Sequence, residues 1–198
     1  MSGTPMQFGD VNGRFQTVAV NINATQNCKA ILCTVAGLLY VPTPVFQQTP
    51  TEAAFGTWEF WIYKGADANT LSAGVVCNSV GGPGAGTMSG YWFYLLNSES
   101  VGFSRITGGA ATILLLSSVA LLANTTWHKI RITRTTSGIF TVWANDTIVN
   151  AALGGSNPTA ADVTHTVSSH VVFDMDAGDM IAWSCPSGER AIFKGVTT

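Results

Sequence analysis

Apolar and polar residues alternate at every second position in several short runs of this chain, and no other feature constrains its fold as much. In residues 57–63, Trp58, Phe60 and Ile62 share one side of a predicted strand, because successive strand side chains point to opposite faces. Residues 129–133 repeat the pattern, with two isoleucines set between basic and hydroxyl side chains. Helical periodicity is almost absent. The alternation predicts β-strands that each have one dry and one wet face.

Turn-forming residues separate these runs and indicate the fold class. Glycine, proline, serine, asparagine and aspartate cluster between the runs, at residues 64–67, 81–86, 136–138 and 154–158. Two more turns, at residues 177–179 and 186–189, predict a three-stranded meander at the end of the chain. Residues 91–96 are apolar on both faces, as expected of a central strand. Because 198 residues suit one sandwich, we predict a single all-β domain over residues 1–198, a two-sheet antiparallel jelly-roll sandwich.

Two stretches depart from the alternating pattern. Residues 23–54 are less regular and contain Pro42, Pro44 and Pro50. Proline cannot donate a hydrogen bond to a central ladder, so we expect edge strands or an extended connection there, which would serve as a contact arm. Residues 110–123 form the longest apolar run, which is shorter than the roughly 20 residues that a bilayer requires. We therefore interpret it as one or two buried strands and expect no membrane insertion.

Charge is scarce in this sequence. Lys, Arg, Asp and Glu make up 10% of the chain, whereas an ordinary soluble domain has about 25%. Such a surface is either covered by a partner or hydrated by Ser, Thr, Asn and Gly, and composition leaves both interpretations open. The net charge of −2 comes with no basic patch, so we expect no nucleic-acid partner.

The N-terminus and the cysteines bear on the compartment. No cationic start followed by an apolar stretch is present after Met1, so we expect no signal peptide and synthesis in a host cytoplasm. The four cysteines lack the paired spacing of a zinc site and are expected to be isolated buried thiols. A bridge between Cys28 and Cys33 stays open as an alternative, although a reducing compartment argues against it.

One stretch resembles a known group of domains. Residues 122–149 contain a Trp-His pair, an alternating strand with an arginine, a turn, and a second strand that ends in an aromatic-x-Asn-Asp motif. This order resembles laminin G-like and pentraxin-like domains, and residues 6–12 and 55–64 resemble their opening and Trp-containing strands. The resemblance implies a concanavalin A-like or laminin G-like jelly roll, as found in bacteriophage virion proteins. From their chemistry, we expect Trp127 to cap the core and His128 to hydrogen-bond a neighbouring strand or loop.

No recognisable set of residues could carry catalysis. Some glycan hydrolases of similar fold place two glutamates and an aspartate alternately along one strand. The glutamates of this chain are isolated from other acids, at Glu52, Glu59, Glu99 and Glu189. No serine lies in a G-x-S-x-G motif. We therefore predict no enzyme activity and no cofactor, and a glucanase-like hydrolase is a remote alternative.

Three aspartates near the C-terminus are weak candidates for a metal site. Asp174, Asp176 and Asp179 are close enough in sequence to suggest calcium, but their spacing departs from the calcium-loop motif. The structural interpretation is preferred: Asp174 and Asp176 share one face of a strand, and residues 177–179 form its hairpin turn.

Aromatic side chains are the feature that best fits ligand binding. Trp61, Tyr63, Trp92, Tyr94 and Trp143 would lie on sheet faces, where sugar rings stack. The alternative is that they are anchors of the core or of an interface. From the sequence the anchor interpretation is preferred, and the ligand interpretation remains open.

These observations lead to a functional expectation with an alternative. The leading expectation is a structural protein of a virus particle: a phage capsid decoration, head-fibre or tail-associated protein that contacts other virion proteins such as the major capsid or tail protein. Such a protein would be located in the virion and form homo-oligomers. The alternative is a lectin-like, carbohydrate-binding module for host-surface glycans.

Overall fold

The computed structural model describes residues 9–10, 14–22, 27–42, 54–66, 68–117, 120–149, 161–184 and 192–194. The strands in chain order are β1 Gly9–Asp10, β2 Phe15–Asn21, β3 Asn27–Cys33, β4 Gly37–Pro42, β5 Gly56–Tyr63, β6 Leu71–Cys77, β7 Gly90–Leu95, β8 Val101–Thr107, β9 Ala110–Leu116, β10 Trp127–Arg134, β11 Phe140–Ala144, β12 Thr147–Ile148, β13 His170–Met175, β14 Met180–Ser184 and β15 Ile192–Lys194. Across these ranges, no helix has the length and apolar character needed to cross a membrane.

The strands form two antiparallel sheets. The smaller sheet has seven strands in the order β1-β4-β13-β6-β7-β8-β9. The larger sheet has eight, in the order β12-β11-β10-β5-β14-β3-β2, with β15 paired to β5 beside this path. This architecture confirms the predicted all-β, two-sheet antiparallel sandwich.

The core lies between the two sheets and follows the alternation seen in the sequence. Trp58, Phe60 and Ile62 of β5 are buried in it, and so are Ile130 and Ile132 of β10. Each large apolar side chain that is fully buried contributes about 1.5–3 kcal/mol. The prediction for the strand at residues 91–96 is also confirmed, because β7 lies between β6 and β8 and is apolar on both faces.

The two irregular stretches differ from expectation. Residues 23–54, the expected contact arm, contain β3 and β4. Each of these strands is hydrogen-bonded to a neighbouring strand on both sides, so neither is an edge strand. Residues 23–26 and 43–53 of that stretch lie outside the described residues. In its described residues, the apolar run at residues 110–123 contains one strand, β9, which is at the edge of the smaller sheet and is mostly exposed. An edge strand covered on one side only leaves apolar side chains in solvent, which sequence hydropathy could not reveal.

The turn at residues 177–179 does not form a hairpin, contrary to the prediction. β13 belongs to the smaller sheet and β14 to the larger, so this turn carries the chain from one sheet to the other. Residues 34–36 do the same between β3 and β4, and the two crossings are hydrogen-bonded to each other. Gly178 N donates to Cys33 O and Cys33 N donates to Asp179 O, both at 2.9 Å. The C-terminal part is therefore not a three-stranded meander.

A buried arginine holds the segment at residues 161–169 against the sandwich. Arg134 is 2% exposed and donates to Asp162 O at 2.7 Å and to His165 O at 2.6 Å. The Asp162 carboxylate in turn accepts from Tyr91 Oη and from Arg105, each at 2.7 Å. Burial raises the pKa of Asp162, but hydrogen bonds from Thr164 and Tyr91 outweigh it and hold that pKa below its usual value.

The cysteines differ in part from expectation. Cys33 and Cys77 are free and buried, as predicted. Cys28 is disulfide-bonded, so the expectation of an isolated thiol is wrong for this residue. Because Cys33 is free, the Cys28–Cys33 bridge that the sequence left open does not form.

Candidate functional site: an aromatic face on the larger sheet

The outer face of the larger sheet displays four large aromatic side chains. Trp61 and Tyr63 of β5 are the cross-strand partners of Lys129 and Trp127 of β10, and Trp143 of β11 is opposite Arg131. Partners in such a ladder lie about 4.5–5.5 Å apart between Cβ atoms, so these side chains share one continuous surface. We call Trp61, Tyr63, Trp127 and Trp143 the aromatic band. All four are half-buried, which leaves part of each ring accessible.

One half of the aromatic band rests on small buried residues. Trp61 and Trp127 pack, with Met180, against a cluster whose buried members are Ile22, Cys28, Ala30 and Ala182. The Tyr63 and Trp127 rings are 5.5 Å apart between centroids and tilted by 50°. Because Cys28, Ala30 and Ala182 are small, the rings can lie close to the sheet, and their tilt means that Tyr63 and Trp127 present two separate ring surfaces to a ligand.

Charged side chains interleave with the aromatic band. Lys129 Nζ lies 3.6 Å from Glu59 Oε1 and 3.6 Å from Asp146 Oδ1, so two carboxylates share it. The guanidinium carbon of Arg131 lies 4.3 Å from the centroid of Trp143, a cation–π contact. The face therefore offers ring surfaces and polar donors side by side.

A cavity of about 310 Å³ lies next to the Trp143 end of the band. Its lining is mostly apolar and comes from the β11–β12 hairpin and the segment before β10: Leu121, Leu122, Ala144, Asn145, Thr147, Ile148 and Val149. Ile148 is the cross-strand partner of Trp143, which joins the cavity to the band. Leu121 and Ile148 are 43% and 40% exposed, so the cavity is open to solvent.

The turn beside this cavity is fixed by His128, as its chemistry predicted. His128 Nε2 donates to Ala123 O at 2.9 Å, and its Nδ1 accepts from Asn145 Nδ2 at 3.1 Å. Asn145 and Asp146 adopt left-handed backbone angles, with φ of 49° and 63°, in the tight turn between β11 and β12. Asn145 Oδ1 also accepts from Lys129 N at 3.0 Å, so this turn positions the lysine strand.

Trp92 and Tyr94, the other two predicted ligand residues, lie on the opposite side of the molecule. They are on the outer face of the smaller sheet, where Trp92 is fully buried within a cluster that includes Met88 and, from the glycine-rich loop at residues 81–86, Ala85. A Cβ on Gly74 would lie 2.8 Å from the Trp92 ring, so the ring rests directly on that glycine. Of the five aromatic residues predicted from sequence, the structure thus brings three together.

The three candidate metal-binding aspartates do not converge. Asp174 is in β13, whereas the Asp179 carboxylate accepts from Gly65 N at 2.8 Å and from Asp176 N at 2.9 Å in the sheet crossing. Among the residues that the structure describes, no group of three His, Cys, Asp or Glu side chains could hold a metal ion. Burial, and then the nearby Asp176, raise the pKa of Asp174 to about 6.

Sequence reasoning missed the roles of Trp127, Lys129 and Arg131. Trp127 does not cap the core; it lies at the end of the band against Tyr63. The signal was available, because Trp127, Lys129 and Arg131 share the parity opposite to the buried Ile130 and Ile132. The register that places β10 between β5 and β11 was not readable from one sequence.

Comparisons with known proteins identify the fold. No protein-family model and no curated protein matches this sequence. Among solved structures, the chain is similar to the carbohydrate-binding module CBM66 from Bacillus subtilis, with 10% identity and a TM-score of 0.50 over 87% of this chain and 93% of that one. It is also similar to the receptor-binding domain of botulinum neurotoxin C/D mosaic serotype, with 11% identity and a TM-score of 0.52 over 97% of this chain and 44% of that one.

A third similar structure is the binding domain of botulinum neurotoxin serotype D, with 13% identity and a TM-score of 0.51 over 95% of this chain and 46% of that one. The chain thus spans under half the length of both neurotoxin domains, and nearly all of the carbohydrate-binding module. The fold is a concanavalin A-like β-sandwich, which agrees with the fold that the laminin G-like resemblance implied.

Proposed function

We propose that this protein is a non-enzymatic carbohydrate-binding module whose glycan lies on the aromatic band. The observation that carries the proposal is the alignment of Trp61, Tyr63, Trp127 and Trp143 on one accessible sheet face. Sugar rings carry apolar C–H faces that stack on aromatic rings, and their hydroxyl groups need donors and acceptors at the rim. Lys129, Glu59 and Arg131 supply such groups among the rings.

The neighbouring structures support the same proposal. One of them is named as a carbohydrate-binding module and others as receptor-binding domains, and these use the same sandwich. Fold likeness alone does not assign a function, so the aromatic band carries the proposal and the neighbours only add support.

A glycan array followed by calorimetry tests it. We expect the purified chain to bind at least one oligosaccharide, and Trp61→Ala to weaken that binding by about tenfold, or about 1.4 kcal/mol, because a stacking platform is lost. The matched control is Ile113→Ala, which removes an apolar side chain that is 47% exposed on the smaller sheet. Binding that survives Trp61→Ala and Trp143→Ala together would place the glycan elsewhere, and an array without any hit would contradict the proposal.

A component of a virus particle is the second candidate function. The observation that favours it is the low content of charged residues, 10%, together with exposed apolar side chains on several elements. Under this hypothesis the chain is displayed in a virion and contacts capsid or tail proteins. Copurification with phage particles, detected by mass spectrometry of the particles, would favour it over a free binding module, and the two functions are compatible in one surface protein.

A further inference from the structure

Arg131 and Lys129 are two residues apart on the same face of β10 but have different surroundings. Lys129 lies between Glu59 and Asp146, at 3.6 Å from each. Arg131 is directly opposite Glu59 in the strand register, yet that carboxylate is oriented to the lysine. Among the described residues, Arg131 forms no ion pair, and its one close polar contact is the cation–π contact with Trp143. A guanidinium without a carboxylate partner is a site for an incoming anion.

Trp143 holds the guanidinium in place for that role. The Arg131 Cζ lies 4.3 Å from the ring centroid, so the Trp143 ring packs against the guanidinium and restricts its position. Arg131 Nε and Trp143 Nε1 are both buried donors without an acceptor in the described residues. Unsatisfied buried donors cost free energy, and because both atoms have almost no accessible surface, a ligand oxygen reaches them only if these two side chains shift.

We propose that the Arg131–Trp143 pair is the subsite for an anionic group on the bound sugar, a carboxylate or a sulfate. This inference rests on the proposed glycan-binding function and specifies its ligand as an acidic glycan. The two carboxylates around Lys129 neutralise that residue, so the anion is recognised by Arg131 through a charge-assisted hydrogen bond at one position along the band. Binding at a half-exposed guanidinium weakens as salt increases, because mobile ions screen it.

The test compares neutral and acidic glycans of the same core. Binding is measured for wild type, Arg131→Gln, Arg131→Lys and Lys29→Gln. The ligands are lactose, sialyllactose and sulfated lactose. An array adds further neutral oligosaccharides with their carboxylated and sulfated counterparts. Lys29→Gln is the matched control, because it removes the same charge from an exposed residue of β3. Circular dichroism and the melting temperature establish that each variant folds.

We expect wild type to bind an acidic glycan about tenfold more tightly than its neutral counterpart, with the preference lost in Arg131→Gln and unchanged in Lys29→Gln. Arg131→Lys should retain only part of it, because lysine lacks the planar fork of donors. The carboxylated and sulfated arms show which anion is preferred. If wild type binds neutral and acidic glycans equally, or if Arg131→Gln keeps the preference for the acidic glycan, the subsite is overturned and glycan binding stands. An array with no hits would overturn both.

Discussion

At the scale of single residues, Asp174 is a carboxyl group in an unfavourable place for a charge. Its carboxylate lies so close to the glycine-rich loop that a Cβ on Gly82 would meet Asp174 Oδ2 at 2.9 Å. Burial, with Asp176 nearby, raises its pKa from 3.8 to about 6. Because the folded state binds this proton more tightly than the unfolded chain, Asp174 favours folding below about pH 4. That advantage is lost as the pH rises through 6.

Replacing Asp174 by asparagine should therefore remove a pH-dependent penalty. The raised pKa of Asp174 in the folded state, discounted because the carboxyl is partly exposed, corresponds to roughly 1–2 kcal/mol at neutral pH. We expect Asp174→Asn to raise the melting temperature at pH 7.5 by about 3 °C or more and to have little effect near pH 4. Thermal unfolding by circular dichroism across this pH range measures it. Asp146→Asn, at a side chain that is 66% exposed, is the control. Equal melting temperatures for wild type and Asp174→Asn at both pH values would contradict the prediction.

At the scale of strands and turns, the structure shows what the sequence could predict. Alternation correctly placed Trp58, Phe60 and Ile62 in the core, because side-chain parity is a local property of a strand. Parity likewise puts Trp61 and Tyr63 on one face of β5, whereas Trp143 of β11 joins that face through the pairing of β10 with both strands. Which sheet a strand joins is decided by long-range pairing, so the sheet change between β13 and β14 appeared as an ordinary hairpin turn. The burial of Trp92 beneath a loop was equally invisible to a single sequence.

Asp179 is the residue on which the two sheet crossings depend. Its buried carboxylate accepts from Gly65 N and Asp176 N, and its main-chain carbonyl accepts from Cys33 N. Asp179→Ala would leave two backbone donors without these acceptors, at about 1–3 kcal/mol each. We expect a loss of about 2–5 kcal/mol in the free energy of unfolding, measured by urea titration. Ala177→Ser, an exposed substitution in the same turn, is the control. A loss below 1 kcal/mol for Asp179→Ala would show that the crossings do not need this carboxylate.

At the scale of the whole molecule, low charge and an open sheet edge occur together. β9 has one neighbour, β8, in the described part of the smaller sheet, and its sequence AATILLL contains no charged residue and no proline. Edge strands usually carry such residues, because unpaired backbone groups otherwise pair with another chain. With only 10% charged residues overall, repulsion between copies is weak. The edge at β9 is thus an uncharged part of this surface that is suited to contact a second copy.

We therefore expect concentration-dependent self-association that a single lysine on β9 reduces. Ile113→Lys places a charge on a side chain that is 47% exposed, and an antiparallel pair of β9 strands would bring two such charges together or bury them. Val35→Lys is the matched control, because it makes the same change at a 57% exposed valine in a sheet crossing. Size-exclusion chromatography with light scattering should show association for wild type and Val35→Lys, and a monomer for Ile113→Lys. If both lysine variants dissociate equally, the net charge of the chain and not the β9 edge governs association. If wild type is monomeric at every soluble concentration, the β9 edge is protected in another way.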